Sequence, residues 1–440
     1  MGNLNIFKHV KLKLSDAERS LVIPVTFGSQ FEWFEFFLFF YWSRIFETEA
    51  HFSGLSASVE ELIYAILLLC SGLLARPIGG IIFGRIGDKV GRRDAFMWSI
   101  IGITLPSIIL TVMPSFPTWA YSSLIYLGVM RLLQGIPAGG ELPGALCLLY
   151  EGATNSRKRY ICSYLFVGTQ LGQILSVLLV LLLQATLTHE QLLSWGWRLS
   201  FGISSVIGIL GSFLRKKFFV PLHETKEFET LKKEHKVEPH PLRKSFKNYK
   251  KMISLVLFLS VFEVSGFYLI YYYLFEKPEL LKLNQFYGNL IYLLYLGVLT
   301  VIMPVLGSIK HNFKIETLFK ISALGVIITS IPFFFAIDRG WSSFLIFQLL
   351  TLMILFFCIQ FSFLPSFMAG LFPTQVRFTC IGFSFNITDG VIGGIIPLFA
   401  SWLTKATGQE AAFVTVFPVS ALIFLLCLKL IKKEKPSYGH

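Results

Sequence analysis

Apolar stretches long enough to cross a lipid bilayer recur along this chain of 440 residues. A spanning helix needs about 20 mostly apolar residues. Six such stretches precede, and six follow, one long polar segment between Arg215 and Lys251. The sequence predicts an all-α membrane protein with twelve transmembrane helices in two six-helix halves. These spans, one to twelve, are expected near residues 21–43, 60–83, 95–113, 118–142, 159–186, 197–219, 252–275, 286–309, 316–337, 342–366, 378–402 and 411–431.

The composition excludes an ordinary soluble fold. Hydrophobic residues make up 54% of the chain and charged residues only 15%, whereas soluble domains carry about 25% charged residues. The 45 phenylalanines would overfill the core that a soluble chain of this length can enclose. A lipid environment removes this conflict, because apolar side chains can then face outward.

The net charge of +13 indicates membrane topology and does not indicate nucleic-acid binding. The basic residues lie in short segments between apolar runs and form no single polar domain. About 30 of the 39 Lys and Arg lie on the side that holds the N-terminus, the central segment and the C-terminal KLIKKEK, so the positive-inside rule places both termini in the cytoplasm.

The polar segment divides the chain into predicted units. The basic linker either only fixes topology and meets anionic lipid or binds a partner. The units are a cytoplasmic N-terminal segment (1–20), an N-terminal six-helix bundle (21–219), a cytoplasmic basic linker (220–251), a C-terminal six-helix bundle (252–431) and a cytoplasmic tail (432–440).

The sequence shows neither a metal-binding nor a phosphate-binding motif that would indicate an enzyme. The six cysteines show no close paired spacing of a metal site or disulfide framework. The chain carries no GxxxxGK[ST] phosphate-binding loop. We therefore expect no enzyme activity, no metal and no cofactor.

The loop between spans two and three reads GRIGDKVGRRDAF. Its glycines permit a tight turn and close helix approach, and Asp88 lies among four cationic residues. The loop resembles the hallmark loop of the major facilitator superfamily, in which the aspartate helps latch the two halves on the cytoplasmic side. A loop that only fixes topology would explain the arginines but not the glycines with Asp88. The predicted latch residues are Gly84, Asp88, Gly91, Arg92, Arg93, Glu141 and Arg377.

The corresponding loop in the second half reads GSIKHNFKIE from Gly307 and lacks the aspartate. This difference predicts an asymmetric latch, built mainly by the first half. Its expected partner is the start of span eleven, where Arg377 lies at the predicted cytoplasmic edge.

Four separated segments resemble the metabolite:proton symporter family, which includes proline/betaine, citrate, α-ketoglutarate and shikimate carriers. Two residues depart from the family pattern. Span one carries Glu35 where the family usually has aspartate, and Asp389 stands where the family more often has a small uncharged residue. The four segments are GSQFEWFEFF, RLLQGIPAGGELPGA with Glu151, GWRLSF, and LFPTQVRFTCIGFSFNITDGVIGGIIP.

Ionisable side chains inside the spans are candidates for proton coupling, because each costs several kcal/mol unless it faces a cavity or a partner. Glu32 and Glu35 share one face of span one, and Arg131 on span four is the expected counter-charge. The predicted coupling set is Glu35, Glu32, Arg131 and Asp389. The alternative is a permanent ion pair that never titrates, and for Glu141 the two interpretations are equally open.

Other polar groups in the spans are candidates for substrate binding. Glu263 is either a substrate contact or a partner of a nearby tyrosine, and the span-seven tyrosines form either a gate or an interfacial belt. The amides equally suit helix-to-helix bonding. The predicted substrate-binding set is Glu263, Gln170, Gln173, Asn386, Tyr268 and Tyr271.

These features predict a proton-driven symporter that takes up a small polar metabolite, such as an amino acid, betaine or carboxylate, by alternating access. It is expected to act as a monomer in a bacterial inner membrane, with the proton gradient as its energy source. Proton-antiport export of a drug or siderophore is the alternative within transport, and a non-transporting membrane sensor is a third possibility.

Overall fold

A computed structural model describes residues 12–49, 71–113, 121–219, 224–309 and 314–434. Within these ranges every regular element is a helix, which confirms the all-α fold class. Helices are expected where lipid surrounds the chain, because a helix satisfies its own backbone hydrogen bonds. The described residues leave out parts of predicted spans two and four, the outer parts of both terminal segments, the start of the linker and residues 310–313 of the GSIKHNFKIE loop.

The first half contains six long helices at the positions predicted for spans one to six. A turn at His189–Gln191 and a π-helical turn at Leu192–Gly196 lead into the sixth. The six are α1 (Asp16–Glu49), α2 (Ser71–Lys89), α3 (Arg92–Thr111), α4 (Tyr121–Gly152), α5 (Lys158–Thr186) and α6 (Trp197–Phe219).

Two short helices form in the predicted linker, α7 (Lys226–Lys233) and α8 (Pro241–Asn248). The Thr225 hydroxyl accepts a hydrogen bond from the Phe228 backbone N–H and so caps α7. A proline begins α8, where its missing N–H costs no helical bond.

The second half repeats the pattern of six long helices. Two of them contain π-helical turns, at Tyr271–Glu276 and at Ile387–Ile392. The six are α9 (Lys250–Glu276), α10 (Gln285–Ser308), α11 (Ile315–Asp338), α12 (Ser343–Ala369), α13 (Arg377–Thr407) and α14 (Val416–Glu434).

Nine helices in the described ranges are long and apolar enough to cross a membrane. The remaining long helices are α1, α2 and α6, which lie at predicted spans one, two and six and carry more charge. The count of twelve spans and the orientation of the termini stay predictions.

The two halves meet along two seams. In one seam α2 packs against the start of α13, and in the other α5 packs against α10. Glycines make the first seam possible: a Cβ at Gly84 would lie 2.7 Å from the Thr379 Cα, and one at Gly80 would lie 2.2 Å from the Gly382 carbonyl oxygen. The close approach expected from the glycine-rich loop is therefore made by α2 against the other half.

Candidate functional site

The Asp88 carboxylate lies at the first turn of α13. It accepts hydrogen bonds from the backbone N–H groups of Phe378, at 3.2 Å, and Thr379, at 2.8 Å. These N–H groups have no partner within the helix, and the helix dipole favours a negative charge there. Asp88 thus ties the first half to the second by capping a helix, and Arg92 Nη1 lies 3.2 Å from its carboxylate.

Glu151, at the end of α4, bridges two buried arginines that belong to different halves. Its carboxylate lies 3.1 Å from Nε of Arg92 and 2.7 Å from Nη1 of Arg377. The three side chains form a second tie between the halves next to Asp88. Removing Glu151 would leave two buried cations without this partner, which is strongly unfavourable.

The linker helix α7 also contributes to this cluster. Glu227 lies 2.8 Å from Nη1 of Arg377 in the second half and 3.2 Å from Nζ of Lys158 in the first. Phe228 is fully buried, with its ring centroid 4.5 Å from the Arg92 guanidinium carbon. The linker is therefore built into the contact between the halves and does more than connect them.

The Glu227 carboxyl lies outside the membrane-spanning segments. Its burial alone would raise the pKa, but the Arg377 guanidinium and the Thr374 hydroxyl hold the pKa of Glu227 below its usual range. The ionised form that binds Arg377 is therefore present at neutral pH and is lost only in acid.

Two other predicted latch residues, Gly91 and Arg93, lie around this cluster. The backbone N–H of Arg93 donates to Glu224 at 3.3 Å, and a Cβ at Gly91 would lie 2.2 Å from the same carboxylate. Glu141 instead lies inside the first half, where it accepts a hydrogen bond from Ser99 on α3.

A cavity of about 20 Å³ lies between the two halves. It has room for about one water molecule, so a metabolite can enter only after side chains or helices move. Both polar and aromatic groups line it: Trp33, Phe166, Thr169, Gln170, Gln173, Glu263, Val264, Phe267, Ile270, Tyr292, Leu296, Phe361, Phe385 and Asp389.

Arg76, in the second turn of the described part of α2, joins two carboxylates from opposite halves beside this cavity. Its guanidinium donates to Glu32 on α1 and to Asp389 in the π-helical turn of α13. Arg76 and Glu32 are nearly inaccessible, whereas the Asp389 side chain is 13% exposed. This buried bridge is a charged link between the two halves within the predicted membrane interior.

Of the predicted substrate-binding residues, Glu263, Gln170 and Gln173 line the cavity. Within the described part of the chain, one carboxylate oxygen of Glu263 is buried without a hydrogen-bond partner. The Gln173 side-chain oxygen accepts a hydrogen bond from the Tyr292 hydroxyl at 2.6 Å across the second seam.

The other three residues of that set do not line the cavity. Asn386 donates to the carbonyl oxygens of Gly139 and Gly382, both at 2.6 Å, and so bonds α13 to α4. Tyr268 and Tyr271 are 4% exposed and pack against aromatic rings such as Phe267. Such burial does not fit an interfacial belt, which needs contact with the headgroup region.

Glu35 and Arg131 are linked through an amide. Gln134 accepts a hydrogen bond from Arg131 at 3.1 Å and donates to Glu35 at 3.3 Å. Ser204 also donates to Glu35. The expected direct pair is replaced by this network among the described contacts, and the Arg131 guanidinium packs over the Phe39 ring at 4.1 Å.

The cavity is also closed at the end opposite Asp88. The Asn289 amide on α10 donates to the Tyr41 hydroxyl on α1 at 2.9 Å. Phe37 packs against the rings of Tyr271 and Tyr292. Contacts between the halves at both ends describe an occluded conformation.

The predicted site omits several residues of these networks, among them Arg76, Gln134, Glu151 and Glu227. An arginine in the middle of the apolar run SGLLARPIGG was a signal that could have revealed Arg76. Glu227 gave no such signal, because a glutamate in a charged linker is ordinarily solvated.

The chain belongs to the Major Facilitator Superfamily, because the model of that family matches residues 22–388. The superfamily resemblance of the glycine-rich loop is thereby confirmed. Proteins of this kind are membrane transporters, and the relatives found bear the names of permeases and transporters, not of enzymes.

Similar proteins extend over nearly the whole chain. The α-ketoglutarate permease of Escherichia coli is 28% identical, with 99% of both chains covered. The proline/betaine transporter of Salmonella typhimurium is 25% identical over 98% of this chain and 86% of its own length.

Solved structures show the same fold. The proton:xylose symporter XylE bound to 6-bromo-6-deoxy-D-glucose is 16% identical and covers 95% of this chain and 96% of its own, with a TM-score of 0.74. The inward-open conformation of XylE from E. coli, with the same coverage and 15% identity, has a TM-score of 0.63.

Proposed function

We propose that this protein is a proton-coupled symporter that takes up a small polar metabolite by alternating access. The observation that carries the proposal is the bridge from Arg76 to Glu32 in the first half and to Asp389 in the second. A group that links the halves and can lose its charge ties their movement to protonation.

Asp389 is the carboxylate best placed to accept the proton. It lines the cavity and is more exposed than Glu32. A proton on Asp389 removes its ionic attraction to Arg76, while Arg76 keeps Glu32 as its partner within the first half. The charged link between the halves is then weakened at the level of the cavity.

The names of the relatives support uptake of a metabolite, since they include an α-ketoglutarate permease and proline/betaine transporters. We also propose the topology of such carriers: twelve spans, both termini in the cytoplasm of a bacterial cell, and one chain as the working unit. The proton gradient is the energy source, and no cofactor takes part.

Export of an apolar drug is disfavoured by the cavity itself. Two carboxylates and two amides face it, from Glu263, Asp389, Gln170 and Gln173. The Glu263 oxygen that lacks a hydrogen-bond partner among the described residues would stay unpaired against an apolar compound, which is costly.

Purified protein in proteoliposomes tests the proposal. Uptake of labelled α-ketoglutarate, proline, glycine betaine, choline and ethanolamine is measured with and without an imposed pH gradient, inside alkaline. We expect one of these classes to accumulate only with the gradient. If the accumulated solute ignored the gradient, symport with protons would be disproved.

The variant Asp389→Asn is expected to lose accumulation driven by the gradient while retaining exchange of substrate across the membrane. The matched control is Asp338→Asn, at an exposed helix end, which should behave as wild type. Glu35→Gln serves as a comparison. If only that variant lost the gradient response, Glu35 would be the coupling residue in place of Asp389.

A further inference from the structure

Glu263 presents an unusual carboxylate to the cavity. Its side chain lies on α9 at 5% exposure, and one of its oxygens is buried with no hydrogen-bond partner among the residues that the structure describes. A buried carboxylate in this state needs a proton or a cation to compensate its charge. Because Glu263 lines the cavity, a cation bound there could compensate it.

The charges around the cavity do not balance. Glu263 and Asp389 line it, and Asp389 is bonded through Arg76 to Glu32. Among the described residues of this group there are three carboxylates and one guanidinium, an excess of two negative charges when all are ionised. In a membrane interior such an excess is unfavourable until positive charge arrives.

Arg76 is also unavailable to bind an anionic substrate. Its guanidinium already donates to two carboxylates. A substrate carboxylate would have to displace one of them while it approached Glu263 and Asp389, and like charges at such separations repel strongly. The site therefore disfavours an anion in this conformation.

Aromatic rings complete the walls of the cavity. Trp33, Phe267, Phe361 and Phe385 line it together with the Gln170 amide. Faces of aromatic rings attract cations within about 6 Å, and an amide oxygen can accept a hydrogen bond from an ammonium group. These neighbours suit a compact organic cation better than a hydrated inorganic ion.

We propose that the substrate is a small organic cation whose ammonium or guanidinium group binds Glu263. This inference rests on the proposed symport and names its substrate class. One monovalent cation at Glu263 and one proton at Asp389 together neutralise the two excess negative charges. Each transport cycle then moves two positive charges inward.

The test compares matched pairs of solutes in proteoliposomes that contain the full chain. Choline differs from glycine betaine, and ethanolamine from glycine, in carrying no carboxylate. We expect the cation of at least one pair to accumulate about tenfold or more above its zwitterion and above α-ketoglutarate. An inside-negative membrane potential, set by a potassium gradient and valinomycin, should increase this uptake further. Preference for a zwitterion or for α-ketoglutarate would overturn the inference.

Variants locate the binding group. Glu263→Gln should reduce cation uptake by about tenfold or more, Glu263→Asp should retain part of it, and Glu410→Gln, at an exposed position, should leave it unchanged. Normal cation uptake by a folded Glu263→Gln protein would contradict the assignment. The solute comparison uses wild-type protein, so it decides the substrate class even if a variant does not fold.

The two proposals fail in different ways. If the pH gradient drives α-ketoglutarate or a zwitterion and no cation, the symport proposal stands and the cation inference is wrong. If a cation accumulates with the membrane potential but without any response to the pH gradient, the cation inference stands and proton coupling is wrong.

Discussion

Buried polar side chains in this protein have partners that satisfy their hydrogen-bonding groups as well as their charges. Gln134 makes this clear, because its amide serves Arg131, Glu35 and Ser107 at once. An amide can both donate and accept. Gln134 therefore links the Arg131 guanidinium to the Glu35 carboxylate by hydrogen bonds in place of a direct ion pair. Burial makes each of these bonds costly to lose.

We expect Gln134→Leu to destabilise the protein by about 1–3 kcal/mol, because Arg131 and Glu35 would lose a buried hydrogen-bond partner. Thermal unfolding in detergent, followed by tryptophan fluorescence, measures the change. The control is Gln409→Leu, at an exposed position. Equal midpoints for the two variants would show that the Gln134 network contributes no stability.

Sequence reasoning identified most of the ionisable groups at this scale but not their partners. Glu32, Glu35 and Asp389 were found because charge is rare in apolar runs. The pairing of Glu32 with Arg76 depends on which faces of α1, α2 and α13 meet, and one sequence does not contain that geometry. The roles of the predicted coupling, substrate and latch residues stay predictions.

Among the described helices, α2 and α13 make a close contact between the halves. Glycines on α2 let the backbones approach, and Asp88 caps the first turn of α13 at the same place. Close packing and a charge-assisted bond therefore act on one short stretch of both helices. Separation of these two helices is the movement that would open this end.

Gly84→Ala should disfavour the closed state by about 1–3 kcal/mol, since the new Cβ would lie 2.7 Å from a backbone atom of Thr379. Spin labels at the exposed positions Val90 and Thr317 should then show a larger fraction of long distances. Gly297→Ala is the matched control, because a Cβ there meets no atom of the described residues within 4 Å. Equal distance distributions for both variants would argue against a tight α2–α13 contact.

The linker helix α7 should contribute to the same closure through Glu227. Glu227→Gln removes the ion pairs with Arg377 and Lys158, so the same spin labels should report more of the open state. The control is Glu229→Gln on the same helix.

The pH dependence of this tie follows from the lowered pKa of Glu227. Its stabilising effect is fully present above the ordinary carboxyl pKa and is lost as the pH falls through the lowered value. The difference between wild type and Glu227→Gln should therefore stay constant from about pH 6 to pH 8. A difference that vanished within this range would mean that Glu227 is not held ionised by Arg377.

On the scale of the whole molecule, the distribution of Lys and Arg predicts how the bundle is oriented in the membrane. The basic linker and both termini are predicted on one side, and the turn between α13 and α14 on the other. The structure places long helices at all twelve predicted positions, with linker helices between the halves. Hydropathy determines where helices lie, whereas the packing of one half on the other depends on side-chain shapes that hydropathy does not describe.

Cysteine labelling in intact cells tests this orientation. A cysteine in place of Gln409, between α13 and α14, should react with a membrane-impermeant maleimide. A cysteine in place of Thr230 on α7 should react only after the cells are opened, and both positions are exposed in the structure. The reverse pattern would invert the proposed topology.

The small cavity between the closed ends has a consequence for the proton gradient across the membrane. Room for about one water molecule does not provide a continuous file of water along which protons could leak. Within the described residues, this cavity therefore offers protons no path of water from one aqueous compartment to the other. A carrier that rests in this conformation would not dissipate, through this cavity, the proton gradient on which other membrane proteins depend.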